Sequence, residues 1–492
     1  MIHALINKIL TLCSDRRNAN KTEQVSEMTK FTRRKMNHAH AHVNGYAHNQ
    51  TGGIPIFAGA QGCVFKPSLK CKNQVRNYND GNISKLGQKE GAEAEMREYD
   101  KIKQYLRQIK NYKQYFSVQA ALCEPDPLEP HDLVNFDDVC TNLKRGNITA
   151  TNVNANLSQL RMINMPDLGI DLKKWMEQTS FNATNLRQLN DYISQLLIHA
   201  VVPMNQLGVI HNDLKSENVM IDRTNNSRII DWGLAGITTP TQVIPVHHFM
   251  NNPVTFNRPF STMVISTDAL ELYSSVVLKS MNTEFTMERI KHFTRAMYKE
   301  YIDIFDISGY KYLQYIFKSM FGSDNDEALM DTVAAYNAEI LYHFTDRVNR
   351  TFRLDEYFGK VYRYNTDVWG LMSVFYSIFM MPRKSFIMSD AAHADMLRRY
   401  RILFRTVVFA NGHERMNVSH IVQQLRQISD AVSKAPRQRT QKKRTTRVRF
   451  NFSMNPKPNN AINRVATPYP HNPHNQHNPH NNVFYDRVIP KK

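Results

Sequence analysis

Apolar residues recur at spacings of three and four through Leu186, Leu189, Ile193, Leu196, Leu197 and Ala200, the buried stripe of an amphipathic helix. They predict a helix that opens near Thr184 and runs towards Pro203. Upstream, from 51 to about 172, short apolar runs are separated by Gly, Asn and Pro, with one charged helical segment from Lys89 to about Ile109. That pattern predicts a small sheet with one helix. Downstream, to about Val432, the chain reads as helical, including the series Ile290, Phe293, Met297, Tyr301 and Ile304. The best candidate for a membrane span, Val368 to Met381, follows Asn365 and Asp367 and falls short of the roughly 18 to 20 residues that a bilayer demands. It predicts a core helix, and no membrane association is expected.

The two ends pattern differently. Residues 1–50 are polar, basic and rich in His and Asn, an arm without the apolar density to fold alone. Within it Ile2 to Leu12 predicts a short amphipathic helix, with no basic region before it as a secretory signal requires. Arg and Lys dominate 436–449, and Asn, His and Pro alternate over 455–482, a composition that rarely packs.

Composition changes the picture mainly through charge. In 492 residues, 63 Lys and Arg stand against 44 Asp and Glu, a formal net charge of +19. Anionic partners are expected, whether nucleotide, nucleic acid or an acidic protein surface. The length suits about two to three cooperating units. Cys13, Cys63, Cys71, Cys123 and Cys140 are scattered, with no C-x-x-C pair for zinc and no dense disulfide pattern, which fits a soluble, intracellular protein in a reducing compartment.

Candidate chemistry begins directly after the amphipathic helix, in Gly208-Val-Ile-His211-Asn212-Asp213-Leu214-Lys215-Ser-Glu-Asn218. Phosphoryl transfer needs a carboxylate to orient and deprotonate the attacking hydroxyl, a cation to steady the γ-phosphate, and an oxygen ligand for Mg²⁺. Asp213, Lys215 and Asn218 offer these in turn, and Val219, Met220 and Ile221 predict a strand that anchors the loop. Shortly afterwards comes Ile229-Ile230-Asp231-Trp232-Gly233. Either motif alone recurs by chance; the two in order, after a helix, point to one site. The first resembles the H-R-D-L-K-x-x-N catalytic loop of protein kinases, and the second resembles their metal-binding D-F-G with Trp232 in place of Phe. The resemblance implies Asp213 as catalytic base with Lys215 beside it, Asn218 and Asp231 as ligands of the Mg²⁺ that accompanies ATP, and structural roles for His211 and Gly233.

Further segments extend the resemblance. Phe57-Ala58-Gly59-Ala60-Gln61-Gly62-Cys63-Val64-Phe65 is similar to the G-x-G-x-x-G-x-V loop over ATP phosphates; Phe57 replaces the first glycine, while Gly59, Gly62 and Val64 keep their places. Lys85 is the candidate for the strand lysine that grips the α- and β-phosphates, with Glu95 as its helix partner and Glu98 as runner-up. Lys66 competes with Lys85, but Pro67 argues against a continuing central strand there. Met165, in Met165-Pro166-Asp167-Leu168-Gly169-Ile170-Asp171-Leu172, falls at the hinge whose backbone binds adenine. Asp171 either reaches the ribose or N-caps a helix starting at Leu172. Tyr364-Asn365-Thr366-Asp367-Val368-Trp369-Gly370 is similar to the D-x-W-G helix start, a structural role for Asp367, whose side chain would brace the catalytic loop.

The resemblance covers about 53–432 and implies an α+β, bilobal protein-kinase-like fold. A small β-rich N-lobe (51–165) and a large helical C-lobe (166–435) are expected, flanked by the arm 1–50 and a disordered tail 436–492. A helical insertion at about 268–360 stands where the family has a short link. The implied reaction is transfer of the ATP γ-phosphoryl group to Ser or Thr hydroxyls. Cys63-Val64-Phe65-Lys66-Pro67 with Cys71, the short link from Lys85 to its helix, and Phe256-Asn257-Arg258-Pro259-Phe260-Ser261 resemble the divergent serine/threonine kinases of large nucleocytoplasmic DNA viruses, implying a role in the infected host cytoplasm or the virion. Two departures carry consequences. Asn212 replaces the arginine that reads a phosphorylated activation loop, so activity without such phosphorylation is expected. The A-P-E anchor is absent, and the segment around Pro259 stands in for it.

Two other functions fit the sequence. A small-molecule kinase of related fold commonly lacks the lysine after D-L, and a catalytically silent kinase-like scaffold is favoured by the altered glycine loop and missing anchor. In the tail, 437–449 suits nucleic acid or a nuclear address. Arg447-Val448-Arg449-Phe450 fits the R-V-x-F phosphatase-docking pattern, and the repeat from His471 to Asn482 reads as solvated spacer or weak metal chelator.

Overall fold

The structure, a computed structural model, describes residues 53–59, 62–74, 81–245, 255–279, 285–304, 307–322 and 326–434. The expected arm, its Ile2 to Leu12 helix, the tail, and the basic and phosphatase-docking tracts within that tail lie outside these residues. Among the described residues no helix is long and apolar enough to cross a membrane.

The first part is an antiparallel sheet of β1 (Ile54–Gly59), β2 (Gly62–Lys66), β3 (Asn82–Gln88), β4 (Ala121–Cys123) and β5 (Leu160–Pro166), in the order β1-β2-β3-β5-β4. Register decides what each face carries. Cys63, Leu86 and Met162 stand side by side, as do Val64, Lys85 and Ile163 one position along. Alternation sends the two rows to opposite faces. The first row joins Phe65, Leu128, Phe136, Cys140, Leu143 and Leu160 in a separate apolar core. The segment between β4 and β5 thus covers one face of the sheet. Helix α1 (Lys89–Leu106) packs on β3 and β5, and its Tyr99, Ile102 and Leu106 enter the larger core.

Disulfides Cys63–Cys140 and Cys71–Cys123 tie this part together. The reading of the cysteines as scattered thiols without a disulfide pattern is corrected here. Cys140 meets Cys63, 77 residues away in sequence, because the β4–β5 segment folds back on the sheet, while Cys71 after β2 meets Cys123 at the end of β4, 52 residues away; such bonds persist in oxidising surroundings.

The second part is helical. After α2 (Leu172–Gln178), helix α3 (Ala183–Leu196) continues through one wider turn, Leu197–Val201, into Val202–Gln206, with Pro203 tolerated in the first turn of that last piece. The predicted stripe is buried throughout. Short strands β6 (Ile170–Asp171), β8 (Val219–Ile221) and β9 (Ser227–Ile229) form one small sheet, and β7 (Val209–Ile210) pairs with β10 (Gly236–Ile237). Helices α4 (Met287–Ile304), α5 (Ile307–Phe321) and α6 (Asp326–Phe344) fill most of the expected insertion. They are part of the core: Tyr336 of α6 packs edge-on against Phe260 and Trp369 at 5.7 and 5.9 Å. Helix α7 (Arg363–Met372) is buried from Asn365 to Met372. Helices α8 (Asp390–Leu403) and α9 (Val418–Lys434) close the fold, with Asn190 of α3 bonded to Tyr400, Leu425 and Ser429.

Candidate active site

The loop between β7 and β8 is held from below by α7. Asp367, fully buried, accepts hydrogen bonds from the backbone N–H of His211 (2.9 Å) and Asn212 (2.8 Å) and from Asn205 Nδ2 (2.8 Å). Burial pushes the Asp367 carboxyl above its ordinary range, while His211 and these donors favour the charged form. Gly370 permits the close approach, because a Cβ there would lie 2.6 Å from Leu214 O. His211 Nδ1 accepts from the Asp213 N–H at 3.3 Å and its Nε2 lies 2.8 Å from Ile230 O.

Asp213 thereby projects from a fixed backbone into a cluster of donors. Lys215 Nζ donates to Oδ2 at 2.7 Å, Asn218 Nδ2 to the same oxygen at 3.0 Å, and Asn257 Nδ2 to Oδ1 at 2.9 Å. Burial pushes the Asp213 carboxyl up, but the Lys215 ammonium, the hydrogen bonds from Lys215 and Asn257, and His211 outweigh it and hold the group below the usual carboxylate range. Asn218 also donates from Nδ2 to Asp213 O at 2.7 Å. Its nitrogen is committed to Asp213, which leaves Oδ1 as the atom it offers to a cation.

The β8–β9 hairpin sets Asp231 beside Asn218. Val219 pairs with Ile229, and the Ile230 N–H donates to Asn218 O at 3.0 Å. Asn212 (φ 62°) and Asp231 (φ 65°) both occupy the left-handed region, sparsely populated for such residues and enriched at functional sites. Trp232 is buried against His211 (4.8 Å between rings) and Phe116 (5.8 Å), and its Nε1 donates to Ser117 O at 3.3 Å. Gly233 N–H lies 3.4 Å from Asp231 Oδ1.

On the sheet, Lys85 Nζ donates to both Glu95 oxygens at 2.8 and 2.7 Å. Glu98 instead pairs with Lys101 on the exposed side of α1. The Tyr99 phenol is pushed up first by burial and then by the carboxylates of Glu95 and Asp231. Lys66 ends β2 and pairs with Asp167 at 2.7 Å, away from Glu95. Gly62 must be glycine for packing, since a Cβ there would meet Leu86 O at 2.6 Å, whereas Gly59 has ordinary room. Val64 shares the face of Lys85. The hairpin tip, Ala60 and Gln61, lies outside the described residues. Met165 lies near the end of β5, and Asp171 N-caps α2 by accepting from Lys174 N–H at 2.9 Å, the helix-capping alternative of the two expected for it.

The family model described as "Protein kinase domain" matches residues 141–257. The chain carries a protein kinase domain. The matched stretch of the kinase domain includes Asp213, Lys215, Asn218, Asp231 and Asn257, and stops short of Lys85 on one side and α7 on the other. Curated relatives match shorter pieces. The human Hormonally up-regulated neu tumor-associated kinase is 50% identical over 44 residues, 9% of this chain and 6% of that protein. The Serine/threonine-protein kinase ppk35 of Schizosaccharomyces pombe is 29% identical over 96 residues, 19% of this chain and 15% of that protein. The Citron rho-interacting kinase of Rattus norvegicus is 41% identical over 44 residues, 9% of this chain and 2% of that protein. The chain therefore spans only a small fraction of the length of these relatives.

Two residues of the kinase-domain site had no role from sequence. Asn257 bonds Asp213 and also Leu214 O (3.2 Å), and Arg258, buried, donates from Nε to Asn212 O at 2.9 Å. Their signal was two polar residues enclosed by Phe256, Pro259 and Phe260. Asn142 donates to Gly59 O and so ties the β4–β5 segment to the glycine hairpin.

Proposed function

We propose that this chain is a serine/threonine protein kinase that transfers the ATP γ-phosphoryl group to protein hydroxyls. Support comes from one arrangement: an ionised Asp213 flanked by Lys215, with the free oxygen of Asn218 and the Asp231 carboxylate at the end of the same hairpin. Asn218 and Asp231 offer hard oxygen ligands only, a donor set that suits Mg²⁺, and they are the residues that would hold it. The ion would neutralise charge on the ATP phosphates. Lys85, fixed by Glu95, supplies a cation for the α- and β-phosphates, under the backbone of the Gly59–Gly62 hairpin and Val64; Met165 offers hinge backbone to adenine.

Asp213 receives the acceptor hydroxyl. A carboxylate with a depressed pKa is a poor base, so its main work is to orient the hydroxyl and take the proton late, when a loose transition state has made it acidic. Lys215 neutralises charge between this carboxylate and the transferred phosphoryl group. Asn212, in place of an arginine, favours turnover that needs no activation-loop phosphate, which phosphatase treatment before assay would test.

Sequence wording supports the narrower likeness to kinases of large nucleocytoplasmic DNA viruses, and the two disulfides suit the virion better than a reducing cytoplasm. Incubation with labelled ATP, Mg²⁺ and a generic basic protein should label Ser or Thr, as read by phosphoamino-acid analysis. Asp213→Asn and Asp231→Asn should each lower turnover roughly 10³-fold or more. Wild-type labelling no greater than in these variants would instead identify a silent kinase-like scaffold.

A further inference from the structure

Far from Asp213 in sequence, three ligating side chains converge from α6 and the loop before α9. Glu339 and His343 lie one helical turn apart on α6, with Glu339 Oε2 3.3 Å from His343 Nε2. From the loop, His413 Nδ1 lies 3.4 Å from the same carboxylate oxygen. All three ligand atoms fall within 4.8 Å of one another. Ligands at about 2.0–2.1 Å from a tetrahedral zinc ion stand roughly 3.3–3.4 Å apart, so the Glu339–His413 edge has the length that a shared ion would impose.

We propose that Glu339, His343 and His413 form a site for a zinc-class divalent ion that clasps α6 to the 410–416 loop. His413 Nδ1 is buried and makes no hydrogen bond among the described residues despite its nearness to Glu339, which leaves its lone pair for a metal. On its other side, His413 Nε2 lies 3.7 Å from Glu414 Oε1, too far for a hydrogen bond as placed.

The loop is already in position. Gly412 packs so closely on α6 that a Cβ would meet Tyr336 O at 2.5 Å. Behind it, Asn365 of α7 bonds Glu414 O at 2.8 Å and Met416 N–H at 2.9 Å. The two imidazoles are stacked, with centroids 3.9 Å apart and planes 10° from parallel. Convergence on one ion asks the His343 ring to rotate, and its side chain, 45% exposed, has the room. Water would complete the coordination, as at other His₂Glu sites.

The experiment uses the full chain, stripped with a chelator and titrated with Zn²⁺ against a chromophoric competitor, beside Glu339→Gln and a His343→Asn/His413→Asn double variant. The His-rich tail is common to all and cancels in the comparison. Wild type should bind one more equivalent than the double variant, with Glu339→Gln at least about tenfold weaker. Zn²⁺ should also raise the melting temperature of wild type by about 2 °C or more beyond any change in the double variant. Equal stoichiometry in wild type and the double variant, or equal thermal response, overturns the proposal.

Discussion

In the proposed kinase reaction the Asp213 cluster would set the chemistry at the scale of single residues. Burial alone would raise this carboxyl, and Lys215 is the leading influence against it. Removing that cation by Lys215→Met leaves burial opposed mainly by the Asn257 hydrogen bond, so the Asp213 pKa should rise. In wild type the acid limb of kcat/KM should lie below the ordinary aspartate value of about 3.9; in the variant it should move towards neutral pH. A pH–rate profile checks this, and coincident limbs would remove Lys215 from control of the carboxylate. The depressed pKa also contributes stability above the unfolded value, lost as pH falls through the lower folded one. The motif wording around Asp213, Asn218 and Asp231 carried their nearness in sequence, because one short loop and one hairpin hold them. Asn257 was opaque in its role, since its apolar neighbours Phe256, Pro259 and Phe260 mark a polar residue among them but not one that reaches back across 44 residues to Asp213.

For single elements, the glycine hairpin separates two reasons for glycine that sequence cannot distinguish. A Cβ on Gly62 collides with the backbone of β3, while one on Gly59 meets only ordinary contacts. Gly62→Ala should therefore destabilise by roughly 1–3 kcal/mol, and Gly59→Ala should stay within about 0.5 kcal/mol, both read by urea denaturation. Similar losses for the two would mean that hairpin packing does not set the requirement. The Cys63–Cys140 bond adds a second restraint one residue past Gly62. Cys140→Ser should cost about 2–4 kcal/mol of stability and raise the KM for ATP several-fold with a smaller change in kcat, by loosening the strand next to the nucleotide loop. An unchanged KM would confine the disulfide to a structural role. Helices α1, α3 and α4 were legible from their period, and the small sheet from short apolar runs cut by Gly, Asn and Pro. The β4–β5 segment was not: its short turns and single helical turns have no period, and its cysteines give no spacing signal.

Across the whole molecule, α7 joins the parts that sequence keeps apart. Asp367 holds the Asp213 loop, Trp369 Nε1 donates to Phe256 O at 3.1 Å beside Asn257, and Asn365 fixes the loop that carries His413. The α+β layout and the helical character of 268–360 were readable from periodicity, but the burial of α6 against Phe260 and Trp369 was not, because an amphipathic stripe does not name its partner. Centrality makes Asp367 the position where stability and activity should fall together. Both of its oxygens accept, so Asp367→Ala strands two backbone N–H groups and the Asn205 amide in a dry interior, costing roughly 3 kcal/mol or more. Asp367→Asn rescues only in part, since its NH₂ must face a donor. Asp213→Asn should behave oppositely, retaining stability within about 1 kcal/mol while losing turnover, because its carboxylate is partly exposed to the open side of the loop. Denaturation midpoints and labelled-ATP turnover on the same preparations check the contrast. If Asp367→Ala folds as stably as wild type and turns over normally, the buried bracing of the catalytic loop is dispensable, and its geometry must be set by the β7–β8 backbone alone.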